Sequence, residues 1–209
     1  NNAEIIYKFY HLEENEKLFF LTKRQSYIVP IVKEMSDSSF NYIDNSTQYI
    51  ELDLRNPVKY IAFVLQRNDN YTQHDYFNYT KEFRLTGTTT NGTLPQLDKN
   101  KYMLDEFVLS TENIDAIPNI PSKILNNIEL YSKFRNNSDT LIYVYSFGIY
   151  PNEVAPSGSL NFSQLKDQRI KLKLINPSNF NNQPINFRGY YVGYNILTID
   201  EGLTGFRFY

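Results

Sequence analysis

The stretch 141–165 constrains the fold of this chain more than any other part of the sequence. It opens with β-branched and aromatic residues at nearly every position, LIYVYSFGI, which is typical of a strand buried on both faces. Pro151 and Pro156 cannot donate to a strand ladder, and the Ser-Gly pair after Pro156 favours a tight turn. Asn161, followed by Gln164, is suited to cap one short helical turn. The pattern therefore predicts a core strand that reaches the edge of a sheet and ends in a rigid, proline-framed loop. That loop offers no nucleophile–base pair, which indicates a structural joint.

Several further segments have the periodicity of strands. Alternation of apolar and polar residues is typical of a strand with one buried face, whereas an unbroken apolar run indicates a central strand. We predict strands at 4–10, 27–32, 48–54, 58–66, 169–175, 187–199 and 203–209. In 187–199, Gly189 and Gly193 share one face, where the lack of a side chain lets another backbone approach closely.

The remaining segments predict one short helix and several loops. Glutamates at 13, 14 and 16 are suited to the first turn of a helix, because carboxylates there interact favourably with the helix dipole, so 11–22 predicts a helix. Segments 67–79, 86–100 and 115–121 are polar or interrupted by proline and predict loops. Loops this long inside a domain usually carry function or a partner contact. Segment 123–134 fits either a helix or a strand.

Composition bounds the fold class. The chain has 209 residues, of which 41% are hydrophobic and 21% charged, so it can bury one sizeable core. Its 18 Tyr and 15 Phe suit strands, and Tyr also suits interfaces. About eight to ten strands with long connections and little helix predict an all-β fold. We expect one domain over residues 1–209, an eight-stranded antiparallel jelly-roll sandwich with long inserted loops.

Charge and cysteine content exclude several classes of protein. Lys and Arg number 21 against 23 Asp and Glu, a balance that argues against a dedicated nucleic-acid binder. There is no cysteine, so disulfides, zinc–thiolate sites and cysteine nucleophiles are excluded. No run of about 18 apolar residues predicts a membrane-spanning helix.

The sequence predicts no catalytic, cofactor-binding or metal-binding residue. The two histidines, His11 and His74, lie far apart in different kinds of segment, whereas a metal site needs several converging ligands. Neither a G-x-S-x-G elbow nor a phosphate-binding loop with its lysine occurs. The six N-x-[ST] sequons predict either glycosylation on outward loops or a chance result of the composition, and we favour the second. They begin at Asn45, Asn70, Asn78, Asn91, Asn136 and Asn161.

The stretch 145–164, with its strand, its polar proline turn, Pro156-Ser-Gly and Asn161-Phe-Ser, resembles the signature of major capsid proteins of nucleocytoplasmic large DNA viruses. The resemblance extends to 56–66, where Pro-Val-Lys leads into a hydrophobic strand that ends in Gln. It also covers 190–209, a Tyr-x-Val-x-Tyr-Asn strand followed by a Gly turn. Segment 7–28 is more loosely similar to the start of the second jelly roll in those proteins. The family has an Asn-bearing strand near 123–134, so we predict a strand there.

Capsid proteins of this family carry two jelly rolls in tandem, and the resemblance implies that this chain is the C-terminal one. The chain begins at Asn1 without Met, which suggests a fragment or a processed product. The implied function is structural and not enzymatic: a homotrimer that forms a pseudo-hexagonal capsomer of an icosahedral shell. The implied location is the virion, after assembly in the host cytoplasm.

The partners that the resemblance implies are copies of the same chain, neighbouring capsomers, minor capsid proteins and, in many members, a membrane beneath the shell. No direct contact with nucleic acid is implied. The long loops 67–79 and 86–121 are then expected to build the outer tower and the trimer contacts, with Tyr and Phe as anchors. Two alternatives remain open: a carbohydrate-binding jelly roll that uses surface Tyr, and a cupin-type enzyme.

Overall fold

A computed structural model describes residues 4, 6–35, 37–41, 47–72, 74–81, 102–112, 114–135, 140–175 and 184–208. These residues form two compact units. The larger unit is Pro30–Tyr194, and the smaller unit combines Asn1–Val29 with Asn195–Tyr209.

Strands dominate the described residues, and β4, β5 and β9 each pair antiparallel with all of their neighbours. One sheet has the order β1-β10-β4-β7, with three short strands, β2, β8 and β11, paired beside β10 or β4. Its strands are β1 (Gln25–Glu34), β2 (Ser38–Asn41), β4 (Pro57–Arg67), β7 (Tyr143–Ser146), β8 (Leu160–Asn161), β10 (Pro184–Asp200) and β11 (Leu203–Phe206). The second sheet has the order β3-β9-β5-β6. Its strands are β3 (Thr47–Glu51), β5 (Leu104–Thr111), β6 (Ile114–Pro121) and β9 (Arg169–Leu174).

The strand count differs from the eight that we predicted, because the described residues form eleven strands. Eight of them lie on the two four-strand paths, and the other three are short pairings of two to four residues at the margins of the first sheet. Short marginal pairings of this kind leave little periodicity in the sequence, which is why the patterns did not reveal β2 or β8.

The core of the larger unit lies between the inward faces of the two sheets, and Phe63 of β4 is at its centre. Its ring packs against Phe107, Tyr143 and Phe187, with ring centroids 5.7, 5.3 and 5.4 Å away. These four aromatic residues come from four strands of the two sheets, and each is at most 1% exposed. Aromatic packing across the layers therefore joins the sheets into a sandwich.

The predicted alternation of β9 is confirmed. Ile170, Leu172 and Leu174 are buried, and the residues between them face outward. There Lys171 pairs with Asp115 on β6, and Lys173 lies 3.2 Å from Asp105 and 3.4 Å from Glu106. The outer face of this sheet is therefore covered by paired charges of both signs.

The predicted close approach at Gly193 is also confirmed. A Cβ placed on this residue would lie 2.9 Å from the backbone oxygen of Pro57. The register of the β10–β4 pair shifts between Val192 and Gly193, so the strand bulges where the two backbones come together.

The prediction of a strand at 123–134 is wrong, because the segment is helical. A π-helix (Ile124–Ile128) leads directly into an α-helix (Glu129–Phe134). Leu125 and Leu130 are buried, five residues apart, a spacing that a π-turn brings to one side. Asn126 is buried too, and its side-chain amide donates to the backbone oxygens of Thr140 and Ile142, 3.2 and 2.9 Å away. This tertiary contact decides between two conformations that the sequence pattern left open.

Three further predictions need correction. Residues 115–121 form part of strand β6 instead of a loop, and 86–121 is not one long loop, because β5 and β6 lie within it. Pro118 and Pro121 are tolerated because β6 is the last strand of its sheet and is largely exposed. The described residues of 4–10 form no strand; Tyr7 and Phe9 are 67% and 79% exposed. Segments 86–100 and 176–183 lie outside the described residues.

The smaller unit contains the predicted helix, α1 (Glu14–Thr22). The backbone N–H of Glu13 donates to the carboxylate of Glu16 at 3.1 Å, one half of a capping box that fixes where the helix begins. In the same unit Asn195 is buried, and its side chain binds both the backbone oxygen and the N–H of Phe208, at 2.7 and 3.1 Å. This paired contact holds the last described residues against β10.

Candidate functional site

The turns at one end of the sandwich are tied together by hydrogen bonds, and we call this the closed end: residues 52–56, 112 and 147–168. The backbone N–H of Leu52 donates to the oxygen of Gln168 at 2.9 Å, and that of Glu112 donates to Lys166 at 3.0 Å. The N–H of Asn56 donates to Ser163 Oγ at 2.8 Å. Because β4 runs away from this end, residues 68–81 that follow it lie at the opposite end.

Gln168 is the hydrogen-bonding centre of the closed end. Its Oε1 accepts from the N–H of Leu54 at 3.1 Å, and its Nε2 donates to the backbone oxygen of Leu54 at 3.1 Å. The same Nε2 also faces the backbone oxygens of Phe162 and Leu165, at 2.8 and 3.1 Å. One side chain thus satisfies backbone groups of Leu54, which is 114 residues from Gln168 in sequence, and of the nearby Phe162 and Leu165.

The proline-framed loop, residues 147–159, is the most constrained part of this end. Ser157 Oγ accepts from the N–H of Tyr150 and donates to its backbone oxygen, both at 2.9 Å, and the N–H of Ile149 donates to the oxygen of Ser157 at 3.3 Å. Gly158 has a φ of 136°, which requires glycine. A Cβ on Gly148 would lie 3.1 Å from the oxygen of Gly158. The two sides of the loop are therefore in direct backbone contact, and the predicted rigid loop is confirmed.

Lys59 anchors this loop to β4. It is 4% exposed, and its Nζ donates to the backbone oxygen of Glu153 at 2.6 Å while lying 5.4 Å from the centre of the Tyr194 ring. Its own backbone oxygen accepts from the N–H groups of Phe147 and Gly148, at 2.9 and 3.3 Å. Burial lowers the pKa of the Lys59 ammonium, and the negative charge of Glu153 partly opposes that shift.

The helical turn predicted after this loop is confirmed. Residues Phe162–Gln164 form a 3₁₀ turn, and the side chain of Asn161 accepts from the N–H of Ser163 at 3.2 Å. Phe162 is fully buried, against the ring of Phe147 at 5.4 Å. The turn thus fixes the end of the loop to the core.

The loop presents apolar side chains to solvent although its backbone is held rigidly. Ile149, Tyr150 and Val154 are 61%, 57% and 78% exposed. The side-chain amide of Asn152 donates to the backbone oxygen of Phe134 at 3.1 Å, which places the loop against the C-terminal end of the helix Glu129–Phe134. Exposed apolar groups on a fixed backbone are typical of contact surfaces.

The described residues of 68–81, at the opposite end, form a second ordered connection that begins with a short helix, Asp69–Thr72. Arg67 pairs with Asp69, and its guanidinium also donates to the backbone oxygen of Lys81 at 3.0 Å. Gln66 Nε2 donates to the oxygen of Tyr76 at 2.7 Å. At the tip of this network, Tyr76 and Phe77 are 46% and 79% exposed. A second rigid loop therefore also presents aromatic groups.

Neither histidine lies among described side chains that could complete a metal-binding site. His11 is exposed in the smaller unit, and His74 in the larger unit lies with Nδ1 2.8 Å from the hydroxyl of Tyr76. Within the described ranges no three His, Asp or Glu side chains are grouped closely enough to hold a metal ion. None of the helices in the described part of the chain is long and apolar enough to cross a bilayer.

Three sequon asparagines are described, and each side chain has a structural partner. Asn70 and Asn78 are 2% and 6% exposed; the amide of Asn70 donates to the backbone oxygen of Asn78, and that of Asn78 to the carboxylate of Asp75. Asn161 caps the 3₁₀ turn. These contacts favour composition over glycosylation as the origin of the three motifs. Asn45, Asn91 and Asn136 lie outside the described residues.

Comparison with known proteins connects this architecture to a family. Residues 16–205 match the family model described as the large eukaryotic DNA virus major capsid protein. The chain belongs to this family. It is 25% identical, over 99% of its length, to "Probable capsid protein 4" of Acanthamoeba polyphaga mimivirus. It is 33% identical, over 39% of its length, to the major capsid protein of Phaeocystis pouchetii virus. The chain covers 39% of the first protein and 16% of the second, so it spans less than half of these relatives.

Solved structures confirm the fold. The PBCV-1 virus capsid superposes with a TM-score of 0.72 at 20% identity, over 94% of this chain and 54% of that one. The Faustovirus major capsid protein superposes with a TM-score of 0.60 at 15% identity, over 82% of this chain and 34% of that one. The predicted antiparallel jelly-roll class is thus confirmed. The family relatives and the fold neighbours are structural capsid proteins and not enzymes.

Sequence reasoning located the proline-framed loop but missed Lys59, which anchors that loop, and Gln168, which joins two segments of the closed end. Lys59 carried a signal, since it is a charged residue near the start of an otherwise apolar central strand. Such a residue is buried only when a partner satisfies it. Gln168 carried none, because its partners are backbone groups that any residues at those positions would supply.

Proposed function

We propose that this chain is the C-terminal jelly roll of a double jelly-roll major capsid protein. Three copies of that protein form a pseudo-hexagonal capsomer, and capsomers tile an icosahedral shell. The observation that carries the proposal is the family match over residues 16–205 together with a fold that superposes on the PBCV-1 virus capsid. The assembled shell is part of the virion, and its assembly takes place in the host cytoplasm.

The partners that we propose are the protein itself and its neighbouring capsomers. Minor capsid proteins and a membrane beneath the shell are further partners, and nucleic acid is not contacted directly. Two features of the described surface support self-association. The tip of 68–81 presents Tyr76 and Phe77 on a hydrogen-bonded loop, and the closed end presents the apolar side chains of the proline-framed loop. Aromatic anchors held in a fixed conformation lose little entropy on binding.

The end of the sandwich opposite the closed end is the better candidate for the outer tower. Residues 68–81 lie there, and the N–H of Asn68 donates to the oxygen of Pro184 at 2.9 Å, which joins this loop to the start of β10. We therefore assign the tower and the trimer contacts to residues 68–72 and 74–81, and we withdraw Leu104–Thr111 and Ile114–Pro121, which form β5 and β6.

The mass and shape of the full-length protein test this function. Size-exclusion chromatography with light scattering is expected to give three times the chain mass, and negative-stain images should show particles with a pseudo-hexagonal outline. Raising the protein concentration and the ionic strength is expected to favour larger arrays, because association buries apolar surface and salt screens like charges. A protein that stays monomeric under all these conditions contradicts the proposal.

A further inference from the structure

The proline-framed loop and the end of the helix before it form one surface patch. The hydrogen bond from Asn152 Nδ2 to the oxygen of Phe134, 3.1 Å long, brings the two segments together. The residues that follow these two in sequence are Glu153 and Arg135, and both are exposed. The patch therefore places an acidic and a basic side chain on adjoining segments, beside the apolar side chains of the loop.

We propose that this patch pairs with the same patch on a second copy of the chain about a two-fold axis, which rests on the self-assembly proposed above. A two-fold contact brings identical surfaces together, so the surface must be complementary to itself. This patch satisfies that requirement. Its centre is apolar, and its charges are of opposite sign, so that Glu153 of each copy can pair with Arg135 of the other.

The chemistry of the loop favours a protein partner over a membrane. Segment 147–159 contains no Lys or Arg and contains Glu153, whereas contact with an anionic bilayer relies on clustered basic residues. The backbone of the loop is already fixed by Ser157 and Lys59, so binding of a partner costs little conformational entropy for ordering the loop. The side chains that reach outward, Ile149, Tyr150 and Val154, differ in shape and suit close packing against another copy.

Charge reversal distinguishes contact between copies from contact within one chain. We would make Glu153→Arg and Arg135→Glu separately in the full-length protein and measure the concentration needed for half-maximal assembly by light scattering. Either variant alone places like charges opposite each other twice per two-fold contact, so we expect that concentration to rise by about tenfold or more. An equimolar mixture of the two variants restores opposite charges at both positions, and we expect it to assemble within about threefold of the unmodified protein.

A second pair of variants tests the apolar centre. Tyr150→Ser removes an aromatic group that is 57% exposed within the patch, and Tyr49→Ser removes one that is 62% exposed on strand β3, outside it. We expect only Tyr150→Ser to weaken assembly, while both variants unfold at temperatures close to that of the unmodified protein.

The outcomes separate this inference from the function on which it rests. An unmodified protein that never assembles overturns both. If the unmodified protein assembles but each charge-reversal variant does so equally well, the proposed function stands and the patch is not an interface. If the single variants fail and their mixture fails too, while all remain folded, the two-fold pairing of Glu153 with Arg135 is wrong.

Discussion

Replacing Gln168 with glutamate would test whether one side-chain amide holds the closed end of the sandwich together. The change keeps the shape of the side chain and the oxygen that accepts from the N–H of Leu54. It removes the Nε2 donor, which lies 2.8–3.1 Å from three backbone oxygens, on Leu54, Phe162 and Leu165. At neutral pH it also places a carboxylate against those oxygens.

The expected loss follows from the hydrogen bonds. The two N–H groups of the amide are shared among three carbonyls, and each hydrogen bond stabilises a protein by a net of about 0.5–1.5 kcal/mol. Adding the repulsion between the carboxylate and the carbonyls, we expect the free energy of unfolding at pH 7 to fall by about 2–4 kcal/mol. Urea denaturation followed by fluorescence measures this change through the shift in midpoint.

The pH dependence gives the sharper result. The surrounding carbonyls favour the protonated form of the introduced carboxyl group, so its pKa in the folded state should lie above the unfolded value of about 4.3. The folded state then binds more protons than the unfolded state between those two values. Stability relative to the unmodified protein is therefore lost as the pH rises through that window and is partly recovered below it. Gln164→Glu, an exposed substitution four residues earlier, is the matched control and should change stability by no more than about 0.5 kcal/mol. A Gln168→Glu protein as stable as this control at pH 7 would refute the reasoning.

Three further substitutions, one of them with a control substitution, test other parts of the structure. Phe63→Ala should lower the free energy of unfolding by about 3–5 kcal/mol, because it leaves a cavity at the centre of the aromatic core. The control Phe77→Ala, at a side chain that is 79% exposed, should change it by less than about 0.5 kcal/mol. Calorimetry or urea denaturation measures both changes. Lys59→Met should leave the melting temperature nearly unchanged, because it removes a buried charge together with the hydrogen bond of that charge. Hydrogen exchange at the backbone amides of 147–158 should nevertheless accelerate. Unchanged exchange would show that Lys59 does not anchor the loop. Burial raises the pKa of the Glu129 carboxyl, against smaller opposing effects of Lys133 and of the Ser146 backbone N–H, so stability falls as the pH rises from the ordinary value of 4.5 to the raised one. Glu129→Gln should flatten that dependence in thermal melts between pH 4 and 8, and a profile with the original slope would contradict this explanation.

The sequence by itself determined the features that depend on local periodicity and local hydrogen bonds. The alternation in 169–174 assigned its buried and outward faces correctly, because successive side chains of a strand point to opposite sides. Asn161 indicated its own capping role, since the acceptor and the N–H that it binds are two residues apart. The prolines of 147–159 indicated a rigid loop because proline fixes φ wherever it occurs, and Gly158 indicated a turn because glycine tolerates a positive φ.

Only the tertiary structure decided the features whose partners are distant in sequence. Segment 123–134 became a helix because Asn126 binds backbone oxygens at 140 and 142, and Ile114–Pro121 became a strand because an edge position tolerates its prolines. The apolar run at 4–10 has the composition of a strand, but its described residues join no sheet. Gln168 is connected to Leu54 across 114 residues. These roles depend on which chain segments lie next to each other. The packing of the whole core decides that, and a local sequence pattern carries no information about it.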